Sequence, residues 1–407
     1  MFIGKDSREQ RIQQVIHHLY PSHHDNVLDP HQCGEKDIIS THFVCGGRPH
    51  DMKTTSEAIL LHRFPKGVIQ DDNFKFVQDM PLEHDVSSNN HDFSEIILVQ
   101  LMYVSVDPYM RARMQPKTPK GYFPAFKLNE PMNSGCVVKV LESRKGNKFK
   151  KGDYIFGYFK WQKVQVVKIK STELKDYVKL DPSLGVPLSY YLGVLGMPGV
   201  TSYWGLLDIC QPKKGEVVVV SAASGAVGSV VGQIAKLKGC FVIGISGGSE
   251  ESAKELKSIG FDEIINYKQY PHTISLKQAI EKVSPNGGVD CFFDNVGGYV
   301  LDAVSLCMNK YGRISLCGAI SQYNEDGMET GPRMNSLYVV RELTVKGFLV
   351  TSYYDRYDES MRDLAKWVKE GKIKALETTV KGFENIPKAL MKIFSGDKIG
   401  KIVVDCS

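Results

Sequence analysis

Gly225 and Gly228 stand three positions apart in SAASGAVG (221–228), directly behind the β-branched run Val217 to Val220. Glycines at this spacing suit the binding of a dinucleotide. The first lets backbone approach a pyrophosphate, the second lets a helix start close against the preceding strand, and the helix N-terminus offers unpaired N–H groups to the anion. Ala223 takes the place of the usual first glycine, so the pattern is AxGxxG. Other reactive side chains are less organised. Nine cysteines occur singly, none with CxxC spacing, and several fall in apolar strands, where a thiol behaves as a small hydrophobe. That usage fits a reducing compartment. Cys317 has no nearby histidine motif and reads as a strand cysteine rather than a nucleophile. Seven of the eleven histidines crowd into residues 1–53 with Cys33 and Cys45, but no spacing there matches a zinc pattern, so no metal site is expected.

The surrounding elements make the glycine pair meaningful. Val227, Val231, Ile234 and Leu237 recur at helical spacing, and Phe241 to Ile245 forms a second strand-like run. Strand, glycine turn, helix and strand compose the dinucleotide-binding βαβ unit. Strands are predicted at 216–222, 241–245, 263–266, 289–294, 313–317 and 343–350, with amphipathic helices at 250–259, 275–283 and 299–308 between them. The fold class is therefore α/β, with a doubly wound parallel sheet of six strands. Upstream, EIILVQLMYVSV (95–106), GCVVKVLES (135–143), KGDYIFGYF (151–159) and KVQVVKI (163–169) are short strands divided by glycine and proline turns, which is β-barrel texture. After 350, a helix at 359–370, the strand ALETTV, a helix near 386–394 and the strand KIVVDC are expected to return to the first domain. The chain thus divides into an extension (1–53), a catalytic barrel domain (54–185, completed by 351–407) and a dinucleotide-binding domain (186–350). The extension lacks an apolar period able to bury a face, so it is expected to be a disordered, dispensable leader.

Composition excludes several function classes. With 407 residues, 42% hydrophobic and 24% charged, the chain has the balance of a globular protein large enough for two cores. A net charge of +5 at this length, without a basic stripe, gives no reason to expect nucleic acid or a membrane as partner. The N-terminus has no continuous apolar h-region, and Asp6 and Glu9 argue against a transit peptide. The longest apolar stretch, near 217–235, is broken by serines and glycines. A cytoplasmic monomer or homodimer acting on a small molecule is expected.

Several long motifs in order carry a family resemblance: VSVDPYMRARM (104–114), LGMPGVTSYWGL (195–206), SAASGAVGSVVGQIAKLKGC (221–240), GFDEIINYK (260–268), FFDNVGG (292–298), GRISLCGAISQYN (312–324) and WVKEGKIK (367–374). From about residue 55 onward the chain resembles the zinc-independent medium-chain dehydrogenase/reductases of the prostaglandin reductase (leukotriene B4 12-hydroxydehydrogenase) group. SYYLG and ISQYN lean towards the 15-oxo-prostaglandin 13-reductase branch. The resemblance implies a Rossmann domain with a GroES-like barrel, and NADPH-dependent reduction of the C=C bond of α,β-unsaturated ketones and aldehydes. The zinc enzymes' GHE stretch and clustered cysteines are missing, and Asp107-Pro108-Tyr109 stands where their first ligand region would be. Without a Lewis acid to polarise a carbonyl, double-bond reduction is the better chemical reading. A quinone reductase on the same fold and an inactive nucleotide-binding regulatory protein are the alternatives.

The resemblance also implies the site. Hydride addition to the β-carbon leaves negative charge on the carbonyl oxygen, which a neutral phenol can stabilise. Tyr323 is the first candidate for that role and Tyr122 the second. Met197 and Thr201 are expected beside the nicotinamide, and Ala222, Gly225, Ala226 and Val227 at the pyrophosphate. Asn295, Cys317 and Ile320, with Phe348, Leu349 and Val350, end strands that face the cofactor. Ser246 closes the second strand with small residues and no carboxylate, which leaves room for the 2′-phosphate of NADPH; Tyr267 can hydrogen-bond it. Two positions depart from the family. Ser252 stands where a lysine usually meets the 2′-phosphate, with Lys254 one helical step away, and Lys398 replaces an asparagine near the C-terminus.

Overall fold

The computed structural model describes residues 55–82 and 93–407, apart from 145, 326, 328–329 and 397. The leader, and the expectations made for it, lie outside these residues. In the first part of the chain, β1 (Thr55–Leu61) and β2 (Phe74–Pro81) pair as an antiparallel ribbon. Next come β3 (Glu95–Ser105), the short helix α1 (Tyr109–Arg113), β4 (Asn133–Ser143), β5 (Tyr154–Lys160), β6 (Val164–Ile169) and β7 (Val178–Leu180). Eight of the eleven residues of β3 are buried, because β3 lies inside its sheet with partners on both edges. One of its edges pairs with β4, and the other is shared lengthwise. β6 takes residues 95–100 of that edge, and the C-terminal strand described below takes 103–105.

The second part is the parallel sheet. Helix α2 (Met197–Trp204) leads into β8 (Val217–Ser221), α3 (Gly228–Leu237), β9 (Phe241–Ser246), α4 (Glu250–Ser258), β10 (Glu263–Asn266), α5 (Thr273–Val283), β11 (Val289–Asp294), α6 (Gly298–Cys307), β12 (Met308–Leu316), α7 (Asn335–Val340) and β13 (Thr344–Gly347). The strand order is β10-β9-β8-β11-β12-β13, the doubly wound order with β8 as first strand. The valines of β8 are fully buried, as a strand covered on both faces requires. Their period of two divides them. Val217 and Val219 pack under α5 and α6, with Leu276, Ile280 and Val304. Val218 and Val220 pack on the opposite side, with Ile234 of α3, and that core continues into the barrel at Val137 and Leu180.

Beyond 350 the chain forms α8 (Tyr357–Lys369), β14 (Glu377–Lys381), α9 (Ile386–Ser395) and β15 (Lys401–Asp405). β15 pairs antiparallel with β3 and parallel with β14, so both strands belong to the barrel sheet. Ile386, Leu390 and Ile393 of α9 join the barrel core around Trp161 and Phe149. Helix α8 instead packs on α2: Tyr203 donates to Asp363 Oδ2 at 2.6 Å and stacks on Trp367 at 5.9 Å.

The expected α/β architecture is present, and the parallel strands fall within a residue or two of their predicted spans except at two places. β12 starts at Met308 rather than 313: Met308 already pairs with Val289 of β11, and the Asn-Lys-Tyr-Gly stretch, with turn composition and Tyr311 at φ +64°, bulges out before pairing resumes at Arg313. β13 stops at Gly347, where a 3-10 turn over Val350–Arg356 takes over. No helix among the described residues is long and apolar enough to cross a membrane.

Candidate active site

A cleft of about 470 Å³ opens where the C-terminal ends of the parallel strands meet the barrel. That is the crevice in which open α/β sheets take their ligands. Met197, Thr201, Ala222, Gly225, Ala226, Val227, Asn295, Cys317, Ile320, Tyr323, Phe348, Leu349, Val350, Lys398 and Tyr122 all line it. Ser246, Ser252 and Tyr267 do not. They stand at the tip of β9, joined to the glycine turn through a hydrogen bond from Ser246 Oγ to Ser224 Oγ at 2.9 Å.

The turn is held in a shape that suits an anion. Ala222 has φ +48°, and its carbonyl accepts from Gly225 N at 2.9 Å. A Cβ on Gly228 would lie 2.4 Å from Ala222 O, so only glycine seats α3 this close to the strand end. Ser221 and Asn295 lock the turn to the neighbouring strand. Asn295 N donates to Ser221 Oγ and Asn295 Nδ2 to Ser221 O, each at 2.8 Å, while Ser221 Oγ donates to Asp294 Oδ1 at 2.7 Å. Burial raises the Asp294 carboxyl above its usual range against the opposing hydrogen bonds it accepts from Val296, Gly297 and Ser221.

The facing wall comes from the barrel. Arg113 donates to Pro124 O at 2.8 Å and to Asn133 Oδ1 at 3.0 Å, and its guanidinium lies 3.9 Å over the Phe126 ring. These contacts fix the loop that carries Tyr122 and Phe123, whose rings meet edge-on at 5.8 Å. Deeper in the wall, Lys401 Nζ donates to Asp107 Oδ1 at 2.9 Å and to Val106 O at 2.5 Å, and Ser105 Oγ donates to Asp107 Oδ2 at 2.5 Å. Both charged side chains are buried.

Tyr323 sits on the turn after β12, and its hydroxyl accepts from Ala319 N at 3.2 Å. That backbone bond orients the oxygen and leaves the phenolic proton free to donate. Its neighbour Asn324 is anchored from the barrel: Arg111 Nε donates to Asn324 Oδ1 at 3.0 Å, and Arg111 Nη2 to Gly67 O at 2.8 Å. Burial raises the pKa of Tyr323, and burial followed by repulsion from Tyr323 pushes Tyr122 up to about 12. Both are therefore neutral phenols at physiological pH, close enough to sense each other's charge. Burial holds the Cys317 thiol at about 12, which keeps it protonated and suits the reading of an unreactive strand cysteine. Lys398 is the opposite case. Burial, with the nearby Lys401 charge, brings its pKa down to about 8 while its ammonium donates to Ile393 O at the end of α9.

Arg111, Arg113 and the Lys401–Asp107 pair were not among the expected site residues. A lysine opening the apolar strand Lys401–Asp405 is the one local signal that marked any of them. The described residues hold no group of three or more His, Cys, Asp or Glu that could bind a metal ion.

A doubly wound sheet and a barrel enclosing such a cleft define a nicotinamide-dependent oxidoreductase of the medium-chain dehydrogenase/reductase type. Residues 57–174 match the family model for the N-terminal domain of oxidoreductase, and residues 226–370 match the model described as zinc-binding dehydrogenase. The chain is 40% identical to the NADP(+)-dependent 2-alkenal reductase of Nicotiana tabacum over 86% of its own length and 98% of the relative's. It is 42% identical to prostaglandin reductase 1 of Sus scrofa, covering 76% of this chain and 88% of that one. The crystal structure of CurA from Vibrio vulnificus in complex with NADPH superimposes with a TM-score of 0.73 at 37% identity, over 86% of this chain and 99% of CurA. The chain belongs to the NADP-dependent double-bond reductases of this superfamily, the family of the alkenal, prostaglandin and curcumin reductases.

NADPH is the cofactor, and the residues present fit it. The glycine turn offers a bare backbone cradle, and the buried Ser252 hydroxyl at the tip of β9 has no hydrogen-bond partner. The tip itself, Ser246-Gly247-Gly248, carries no carboxylate to repel a 2′-phosphate.

Proposed function

We propose that the protein reduces the C=C bond of α,β-unsaturated ketones and aldehydes, including alkenals, alkenones and 15-oxo-prostaglandins, and leaves the carbonyl intact. The observation that carries this reading is the pair of neutral phenols, Tyr323 and Tyr122, in one mainly apolar cleft. NADPH, when bound, supplies a hydride. Gly225, Ala226 and Val227 would hold its pyrophosphate, and Met197, Thr201, Cys317, Ile320 and the Phe348–Val350 segment, which line the same cleft, would hold its nicotinamide. Tyr323 hydrogen-bonds the carbonyl oxygen of the substrate, where charge accumulates as the β-carbon takes the hydride, and the resulting enolate takes a proton from water at its α-carbon to give the saturated carbonyl compound. Tyr122 is the second hydrogen-bond donor to the same oxygen. The apolar walls from Phe123, Ile320 and Phe348 exclude water and accept the alkyl chain.

The test is a product analysis. The protein is incubated with NADPH and a medium-chain enone, a 15-oxo-prostaglandin or a quinone. Saturated ketone as the product supports the proposal. Allylic alcohol as the product, or turnover of the quinone alone, defeats it.

A further inference from the structure

Every NADPH site must neutralise a 2′-phosphate, yet the lysine expected for this task is a serine here. Lys254, the nearest alternative in sequence, is exposed and lies beside the carboxylate of Glu251. The structure brings a different cation to the spot. Asn266 Oδ1 accepts from Lys268 N at 3.1 Å and so fixes a 3-10 turn directly after β10. That turn lays Lys268 across the tip of β9. Its Cε is 2.9 Å from where a Cβ on Gly247 would stand. Its ammonium lies 4.0 Å from the corresponding point on Gly396, just past α9. A Cβ on the next glycine, Gly248, would stand 2.8 Å from Ser252 Oγ, the buried hydroxyl that lacks a partner. The Tyr267 ring lies closer still, 2.6 Å from the Gly247 point, so a cation, a phenol and an unsatisfied hydroxyl all crowd onto a pair of glycines whose missing side chains let them approach.

We infer that Lys268 is the residue that reads the 2′-phosphate of NADPH, with the Ser252 hydroxyl as its helper. Among the described residues, Lys268 forms no ion pair with a carboxylate. The 2′-phosphate brings three strong acceptor oxygens to a lysine and a hydroxyl that can only gain by meeting it. Gly247 and Gly248 are needed for the same reason: a side chain on Gly247 would displace Tyr267 and Lys268, and one on Gly248 would displace Ser252. The selectivity device has thus moved from the first turn of α4 to the turn after β10. The inference rests on the NADPH assignment and not on the enone reading.

The experiment uses fragments of the cofactor and needs no turnover. Binding of 2′,5′-ADP and of 5′-AMP to the full chain is measured by calorimetry for wild type, Lys268→Gln, Lys268→Arg, Lys254→Gln and the double variant Lys268→Gln/Ser252→Lys. Lys268→Gln is expected to weaken 2′,5′-ADP relative to 5′-AMP by about ten- to a hundredfold, the worth of one charge-assisted hydrogen bond. Lys268→Arg should keep most of the discrimination, and Ser252→Lys should restore it in the glutamine background. Lys268 and Lys254 are exposed, so the single variants should fold; Ser252 is buried, and the unliganded melting temperatures of all the variants, the double variant above all, check the fold. Discrimination unchanged within about twofold in Lys268→Gln, or lost in Lys254→Gln instead, overturns the assignment. A failure to reduce enones would leave these binding ratios untouched.

Discussion

Lys401 and Asp107 form an ion pair of 2.9 Å inside the barrel wall, with both side chains almost completely removed from water. It joins the first residue of β15 to the turn that follows β3 and forms part of the cleft lining. A pair this deep is not a strong source of net stability, but removing one partner strands the other. Lys401→Met is therefore expected to destabilise the protein by about 3–5 kcal/mol in urea unfolding. Asp107→Asn combined with Lys401→Met should cost less than the sum of the single changes, by roughly 1 kcal/mol or more. Strict additivity would show that the two charges do not act together.

Tyr323→Phe should lower kcat about tenfold. Loss of a single oxyanion donor can cost as much as roughly 10²–10³, but cofactor hydroxyls and Tyr122 share the charge. Since burial keeps Tyr122 near 12 and Tyr323 above its usual value, kcat should not fall through phenol ionisation between pH 6 and about 9. Stopped-flow turnover with saturating NADPH measures both. Unchanged kcat in Tyr323→Phe removes this hydroxyl from the chemistry.

The Arg111–Asn324 hydrogen bond positions the turn that carries Tyr323 without touching the cleft itself. Asn324→Ala should reduce kcat roughly tenfold through misplacement of the phenol, with little change in KM for NADPH. Asn324→Asp keeps an acceptor for Arg111 and should retain most of the activity. Equal losses in kcat and in cofactor affinity would point to general damage to the domain.

Lys398 gives the cleft a titration of its own. It carries its charge below pH 8 and loses it above, so affinity for the anionic cofactor should decline as pH rises through about 8. Lys398→Asn should flatten that profile. Stability runs the other way: the folded pKa of about 8 lies below the ordinary 10.5, so between these values the unfolded chain binds more protons. Relative to Lys398→Asn, the cofactor-free wild type should gain stability as pH rises across this window. Thermal melts at pH 7 and pH 10 check the sign.

Much of the fold was legible because local rules and tertiary packing agree. The valines of β8 and the apolar positions of α3 have the periods of the elements they form, and the glycines mark the turn between them. Strand ends were legible too, and together with the family motifs they placed Asn295, Cys317 and Phe348, which line one crevice. What could not be read were contacts between residues far apart in sequence. Nothing local pairs Arg111 with Asn324, or lays Lys268 against Gly247. Those depend on how the barrel docks on the sheet and how the turn after β10 folds across the tip of β9. β12 was read short for a related reason, since its pairing with β11 begins at Met308, ahead of a bulge around Tyr311 whose turn composition ends the strand-like pattern.

The shared edge of β3 also constrains how the chain is made. β3 emerges early in synthesis, but the partner of residues 103–105 is β15, which emerges last. The whole parallel sheet lies between them in sequence and can assemble by nearest-neighbour steps while that edge still waits. Until β15 arrives, the C-terminal end of β3 presents unpaired backbone and apolar side chains to other nascent chains. The barrel begun before the parallel sheet is therefore closed only after it, and a chain stalled just short of residue 401 would display an open, adhesive strand beside a finished nucleotide-binding sheet.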